Sequence, residues 1–233
     1  MSVGNRVFLK RNLPDKDIIE AFKNLPAANV ADTMSRLCAL NSEIKLVGSP
    51  VSPIMAGPAL TVKARPGDNL MLHKALDMAQ EGDIIVVSNE GDRSQSLMGE
   101  IMAAYAKYTK KVGGIVLDGP IRDIKEISEM DFHLYCTGST PGGPYKEGPG
   151  EINVPISIGN IAVMPGDIIL GDADGVIVIP AKYAEEILQA SIEYAKTDSA
   201  KVEAAKNGTA NRNWVEESLK KKSTEIIDGY FEY

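Results

Sequence analysis

The sequence predicts an α/β fold: a layered domain built on a buried sheet. Three observations carry this. Two short runs, 83–87 (DIIVV) and 114–117 (GIVL), are almost wholly apolar and rich in β-branched residues, the pattern of strands covered on both faces. They alternate with longer stretches whose apolar residues recur at helical spacing. The composition, 44% hydrophobic and 24% charged over 233 residues, is that of a globular chain with a core, and it excludes disordered, collagen-like and coiled-coil classes.

Taken in order, residues 14–24 (PDKDIIEAFKN) place acids early and Ile18, Ile19 and Phe22 at helical spacing, a short amphipathic helix. Pro26 opens a second helix through about Cys38. Residues 58–65 (PALTVKAR) alternate as a strand, and a Pro-Gly-Asp turn leads to a helix over 69–79. After the 83–87 strand come a helix over 98–110, the 114–117 strand, a helix over 123–130 and a strand over 132–136. Residues 140–150 (TPGGPYKEGPG) form a loop or lid. Residues 156–180 read as short strands joined by hairpin turns at Gly159-Asn160, Pro165-Gly166-Asp167 and Asp174-Gly175. A long helix over 181–206 and a basic helix near 214–222 close the chain, ahead of EIIDGYFEY. The Gly-Asp echoes at 66–68, 81–83 and 165–167 are turn chemistry and have no fixed period. The reading is one domain over 1–233, with a core over about 25–206 and a helical tail over about 207–233.

Charge narrows the function. Lys and Arg number 25 against 32 Asp and Glu, a net −7, so the chain lacks the basic balance for gripping nucleic-acid backbones. One Trp and four Phe supply no platform for stacking bases. Cys38 and Cys136 stand far apart among apolar neighbours and are expected to be buried thiols, neither a disulfide framework nor a cysteine zinc site. The first 13 residues lack the apolar stretch of a signal peptide, and no apolar run reaches membrane-helix length. A soluble cytoplasmic protein is expected, with no membrane partner.

The densest polar cluster is Asp118-Gly119-Pro120-Ile121-Arg122-Asp123, directly after the GIVL strand. Ligands of open α/β sheets bind beyond the carboxyl ends of strands. Arg122 offers a planar fork for a carboxylate, and Asp123 a hard oxygen for Mg²⁺ or Mn²⁺. The same Asp123 and Glu126 also fit a capping box, which needs no metal. Gly99-Glu100-Ile101-Met102 opens a helix, where backbone amides attract carboxylates, and Glu100 fits equally as a first-turn acid. Asn69 and His73 share a helix face at i and i+4. Lys146 stands in the 140–150 loop, either meeting an anion or solvated. His133 reads as structural, and Lys220 to Lys222 as a solvated face.

In order along the chain, Gly57-Pro58-Ala59, TVKARPGDN, the Gly-Glu-Ile-Met helix start, VGGIVLDGPIRD and PGDIILGDADGVIVIP together resemble the RraA-like family over roughly residues 25–206. That family contains class II pyruvate aldolases acting on 4-hydroxy-4-methyl-2-oxoglutarate and 4-carboxy-4-hydroxy-2-oxoadipate. It also contains the regulators of ribonuclease activity, and members mislabelled as menaquinone methyltransferases. The resemblance implies an α/β/β/α sandwich assembled as a homotrimer, or a hexamer of two trimers, with sites between subunits. It implies that Asp123 binds the divalent metal, that Arg122 binds the pyruvyl group and that Glu100 contacts metal-bound water. The Ile101 and Met102 amides, behind Gly99, would hold the substrate carboxylate. Asn69, His73, Lys146 and Asp32 fall on further polar positions of the pocket, Asp32 reaching across from a neighbouring subunit.

The chemistry that the resemblance implies is cleavage of a small anionic 4-hydroxy-2-oxo acid to the enolate of pyruvate. A Lewis-acidic metal and Arg122 would stabilise it, and oxaloacetate decarboxylation would pass through the same enolate. A further acid near the C-terminus has Glu193 and Glu203 as candidates. The alternative within the family is a non-catalytic, protein-binding regulator. A methyltransferase ranks last, because VKARPGDN supplies no glycine-rich nucleotide loop.

Overall fold

The computed structural model describes residues 3–231; Met1, Ser2, Glu232 and Tyr233, part of the termini read above, lie outside them. The chain runs β1 (Arg6–Val7), α1 (Lys16–Phe22), α2 (Ala27–Thr33), β2 (Lys45–Leu46), β3 (Met55–Ala64), α3 (Leu70–Met78) and β4 (Ile84–Ser88). Then come α4 (Glu100–Ala104), continued by a π-helical turn (Tyr105–Thr109), β5 (Gly114–Leu117), α5 (Ile124–Ser128), β6 (Leu134–Cys136) and β7 (Gly150–Ile152). The strands β8 (Ile156–Ile158), β9 (Ile161–Val163), β10 (Ile168–Asp172) and β11 (Gly175–Ile179) follow. A 3-10 turn (Ala181–Tyr183), α6 (Ala184–Lys206) and α7 (Asn213–Lys221) end it. Two compact units result, one up to Tyr194 and one from Ala195.

In the first unit β3, β4, β5 and β6 lie side by side and parallel. Their side chains alternate between two faces. Leu60, Val62, Ile85, Val87, Ile115 and Leu117 point to one face and pack with Met71, Leu72 and Ala75 of α3, Met102 of α4 and Ile127 of α5. Val86, Val116 and Tyr135 point to the other and pack with Ile156, Ile158, Val163, Ile169, Val176 and Val178 of β8 to β11. Helix α2 in turn packs on β10 and β11. Each element thus buries its apolar side against another layer, in an α/β/β/α arrangement. Every wholly buried Ile or Leu in it contributes about 1.5–3 kcal/mol.

β3 is ten residues long because it serves three partners. It is parallel to β4, antiparallel to β7 at Val62 to Ala64, and antiparallel to β10 at Met55 to Pro58. The short strands β1, β2 and β7 carry too few residues to show a period, and sequence reasoning misses all three.

Three expectations change. The second helix stops at Thr33 and does not reach Cys38. Ser35 and Arg36 take left-handed backbone angles (φ 57 and 62), and Leu40 and Cys38 bond to Val176 and Val178 of β11. Pairing with a strand has displaced the last five expected helical residues, somewhat more than one turn. Pro165-Gly166-Asp167 joins β9 to β10, which do not pair with each other, so it is a crossover between sheets and no hairpin. Gly166 is required there: at φ 91, an added Cβ would lie 1.9 Å from the Asn12 carbonyl oxygen. The 98–110 helix is α-helical only to Ala104, beyond which the Lys110 amide reaches Tyr105 in a π turn. The other two turns form hairpins as expected. Gly159 and Asn160 both have positive φ, the primed turn that suits twisted antiparallel strands.

Both cysteines are buried and free. Burial pushes the Cys136 thiol from an ordinary 9.0 up to about 11. The expected result is that neither thiol of the folded protein reacts with a thiol reagent at pH 8, while both react in urea. The sign of the linked stability follows. Between pH 9 and 11 the unfolded thiol ionises and the folded one does not, so stability present below pH 9 is lost as pH rises, by about 3 kcal/mol. A denaturation series across that window measures it.

The second unit holds the end of α6 and all of α7. No residue of α7 is buried, and Trp214 is exposed. Glu216 in its first turn and Lys220 and Lys221 in its last complement the helix dipole, as a solvated face should. Among the described residues no helix is long and apolar enough to cross a membrane.

Candidate active site

Residues 120–122 form a taut extended segment beyond the carboxyl end of β5. The Leu97 amide bonds to Pro120 (2.9 Å) and the Arg122 amide to Met98 (2.9 Å) on one side. The Ile121 amide bonds to Gly138 (3.0 Å) and the Thr140 amide to Ile121 (2.9 Å) on the other. Ile121 is fully buried and anchors the segment. Arg122 and Asp123 therefore emerge at a fixed place, over a cavity of about 420 Å³ shared with Ile124, Ser139, Thr140 and Pro141.

Asp123 stands before α5 with φ 58, a left-handed conformation that is costly for a residue with a Cβ. Its carboxylate does not cap its own helix. It turns to α4 instead, where Oδ2 accepts the Glu100 amide (3.0 Å) and lies 3.7 Å from Arg122 Nε. The capping-box alternative is thus not the geometry observed. Gly99 makes room for the pair: an added Cβ would lie 2.3 Å from Asp123 Oδ2 and 3.1 Å from Arg122 Nε. The Glu100 side chain is exposed, Ile101 is 82% exposed, and Met102 turns into the core. The Ile101 and Met102 amides fall in the first turn of α4, where a helix leaves its amides without intrahelical partners.

Asn69 is the residue before α3 and is buried. Its Nδ2 donates to the Leu97 carbonyl (2.8 Å) and touches Met102 Sδ (3.5 Å), tying α3 to the start of α4. Its Oδ1 is buried without a protein partner among the described residues. His73 sits one turn on, exposed. Partial burial, then the charge of Lys146, hold its pKa below the ordinary value, against an opposing pull from Asp77. The 140–150 loop, which carries Lys146, meets the start of α3 where the Asn69 amide bonds to Tyr145 (3.0 Å), and Gly143 of the same loop lies beside Arg122 Nη1.

Asp32 sits apart. On α2 it receives Arg36 Nε (2.5 Å) and the Tyr194 hydroxyl (2.6 Å). Within this chain, then, it belongs to the β10–β11 side. Of the C-terminal acids, Glu193 and Glu203 lie on α6, and Glu203 pairs with Lys206 (2.8 Å). His133 is buried behind β6.

The Asp118–Asp123 cluster is split by the sheet. Asp118 follows Leu117 and so points to the opposite face, in one row with Lys63, Ser88 and Thr137 at the strand ends. These four line a separate polar cavity of about 430 Å³. Burial raises the Asp118 pKa, and the amides of Asn89 and Gly91 counter it. Asp118 thus braces the 89–91 turn and is no part of the Arg122 group. Sequence reasoning also misses Asp68, which it takes for turn chemistry alone. Asp68 is buried and holds the 140–150 loop through the Glu147 and Gly148 amides.

A divalent ion fits the Arg122 group in one way. No cluster of three His, Cys, Asp or Glu suited to a metal occurs among the described residues, so a closed protein cage is not formed. Asp123 offers one half-exposed carboxylate whose Oδ1 has no protein partner among the described residues. That donor set suits Mg²⁺ or Mn²⁺, which keep several waters and take one or two carboxylates plus substrate oxygens.

A parallel sheet carrying an Arg–Asp pair at its carboxyl edge, with a second strand layer behind it, defines the class of layered α/β protein. The RraA-like family, described as Aldolase/RraA, matches residues 27–178, and the chain belongs to it. A Halalkalibacterium halodurans protein named "Putative 4-hydroxy-4-methyl-2-oxoglutarate aldolase" is 38% identical over 204 residues, 87% of this chain and 96% of that one. A Thermus thermophilus 4-hydroxy-4-methyl-2-oxoglutarate aldolase is 33% identical over 113 residues, 48% of this chain and 68% of that one. Among solved structures, a Streptomyces coelicolor protein described as an unusual member of the RNase ES inhibitor RraA family aligns with a TM-score of 0.72 at 25% identity. The alignment covers 82% of this chain and 98% of that one.

Proposed function

We propose that the chain is a divalent-metal-dependent class II aldolase that cleaves a 4-hydroxy-2-oxo acid to pyruvate. The aldolase-named relatives support a lyase. The observation that carries the reading is the Asp123 carboxylate, turned away from its own helix and set beside Arg122 over a cavity, in the space left by Gly99.

Asp123 would hold the ion, which when bound supplies Lewis-acid stabilisation of developing negative charge. Arg122 sets its guanidinium fork against the 2-oxo and carboxylate oxygens and orients the substrate. The first-turn amides of Ile101 and Met102 donate to the same carboxylate. The C3–C4 bond breaks, its electron pair moves to C3, and the charge spreads to the 2-oxygen beside Arg122. Glu100 holds a water that takes the 4-hydroxyl proton as that oxygen becomes the carbonyl of the second product. The water then returns a proton to the methylene carbon. Loss of CO₂ from oxaloacetate produces the same enolate, so Arg122 would serve that reaction too. Exposed Ile101, Tyr105 and Tyr108 recur at helical spacing beside the site. They support closure of the site by a neighbouring copy, in a trimer or hexamer, with Asp32 supplied by that copy.

The expected result is release of pyruvate from 4-hydroxy-4-methyl-2-oxoglutarate in the presence of Mg²⁺ or Mn²⁺, followed by coupled lactate dehydrogenase, and lost in EDTA. Metal-loaded protein releasing no pyruvate from that acid, its 4-carboxy analogue or oxaloacetate would sink the proposal. The likeness to an RraA-family inhibitor favours one second reading, a protein-binding regulator. Stoichiometric capture of a ribonuclease by inactive but folded protein would establish it.

A further inference from the structure

We infer that Asp68 is a positioning residue of this site: its carboxylate ties the 140–150 loop, which carries Lys146, to the start of α3, the helix that carries His73. The activity arm of the test rests on the aldolase reading; the geometry does not.

Asp68 is 2% exposed, yet both of its oxygens are used. Oδ2 accepts the amides of Glu147 (2.7 Å) and Gly148 (2.8 Å), and Oδ1 accepts the amide of Leu70 (2.9 Å). Three N–H groups from two distant segments converge on one carboxylate. A carboxyl group has an acceptor oxygen on each side for them; an amide side chain would turn an NH₂ toward at least one donor. The residues on either side of Asp68 reinforce the clamp. The Tyr145 amide bonds to Gly67 (2.9 Å), and the Asn69 amide to Tyr145 (3.0 Å).

Lys146 therefore lies between two fixed points, Tyr145 and Glu147. The helix that begins at Leu70 carries His73, whose amide closes on Asn69 (3.0 Å). At the far end of the loop Gly142 is held by the amide (2.8 Å) and hydroxyl (2.6 Å) of Ser96, which leaves Gly143 beside Arg122. The loop thus runs from Arg122 to the start of α3, and Asp68 is its inner fastening. The lowered basicity of His73 supports this placement, because Lys146 is its second cause after burial, with Asp77 opposing.

The test uses the two histidines of the full chain, His73 and His133, as separate reporters in an NMR titration. In Asp68→Asn the His73 midpoint is expected to rise toward the ordinary value while His133 does not move. Lys146→Ala should raise His73 alike. With 4-hydroxy-4-methyl-2-oxoglutarate, Asp68→Asn is expected to raise KM about tenfold and change kcat less than about twofold, as loss of a uniform binding contact does. A folded Asp68→Asn protein with an unmoved His73 midpoint overturns the inference. Should that variant not fold, Glu147→Pro removes one of the two loop amides from the exposed side, and an unmoved His73 there overturns it equally. A shifted His73 in a protein that releases no pyruvate upholds the positioning role and overturns only the aldolase reading.

Discussion

In Asp123→Asn, pyruvate release falls by about 10³-fold, while the thermal midpoint stays within about 2 °C of the parent. Asparagine is the informative replacement for two reasons. It tolerates the left-handed backbone that Asp123 adopts at φ 58, so the turn into α5 is kept. Its carbonyl can still accept the Glu100 amide now held by Oδ2, so the entrance to α4 is kept as well. What it removes is the negative charge and one oxygen. Among the described residues no group of three His, Cys, Asp or Glu stands ready to hold an ion in its place, so the proposed metal would lose its main protein ligand. Steady-state kinetics across a Mg²⁺ series, with a melting curve on the same sample, checks both halves. An Asp123→Asn protein with half the parental rate would show that Asp123 is only structural.

In Gly99→Ala, the rate falls by about 10²-fold with little loss of stability. The reason is space. Gly99 has φ −139 and ψ −167, extended backbone open to any residue, so no conformational demand calls for glycine. The methyl would instead lie 2.3 Å from Asp123 Oδ2, 3.0 Å from Arg122 Cγ and 3.1 Å from Arg122 Nε. These atoms belong to half-exposed side chains that can swing outward, so the fold survives. The carboxylate and guanidinium are pushed from their places, and a shift of about 1 Å in a positioned group costs about 10²-fold. Parental kcat/KM in folded Gly99→Ala would remove the Arg122–Asp123 pair from the active site.

Much of the fold is legible along the chain because its signals are local. The runs 83–87 and 114–117 are buried on both faces and betray it by apolar content alone. Gly159-Asn160 and Asp174-Gly175 declare their hairpins through residues suited to positive φ. The failures are equally physical. The helix from Pro26 has the composition to reach Cys38 but loses its end to pairing with β11, a partner some 140 residues away that no local pattern contains. Pro165-Gly166-Asp167 has hairpin chemistry and a different task, since the strands it joins belong to different layers.

The Arg122–Asp123 group is legible as a polar cluster after a strand, and its family by the order of its motifs. The sequence by itself determined which residues have the chemistry to suit an anion and a hard cation, and that burial would cover both cysteines. Only the tertiary structure decided that Asp118 and Asp123, five residues apart, serve opposite faces, because side chains alternate across a sheet. It alone decided that Asp123 faces α4 rather than its own helix. It alone turned Asp68 from a turn residue that caps its neighbour Leu70 into a buried acceptor of the Glu147 and Gly148 amides as well, because those two donors, some 80 residues away, are brought to it by chain closure and not by sequence neighbourhood.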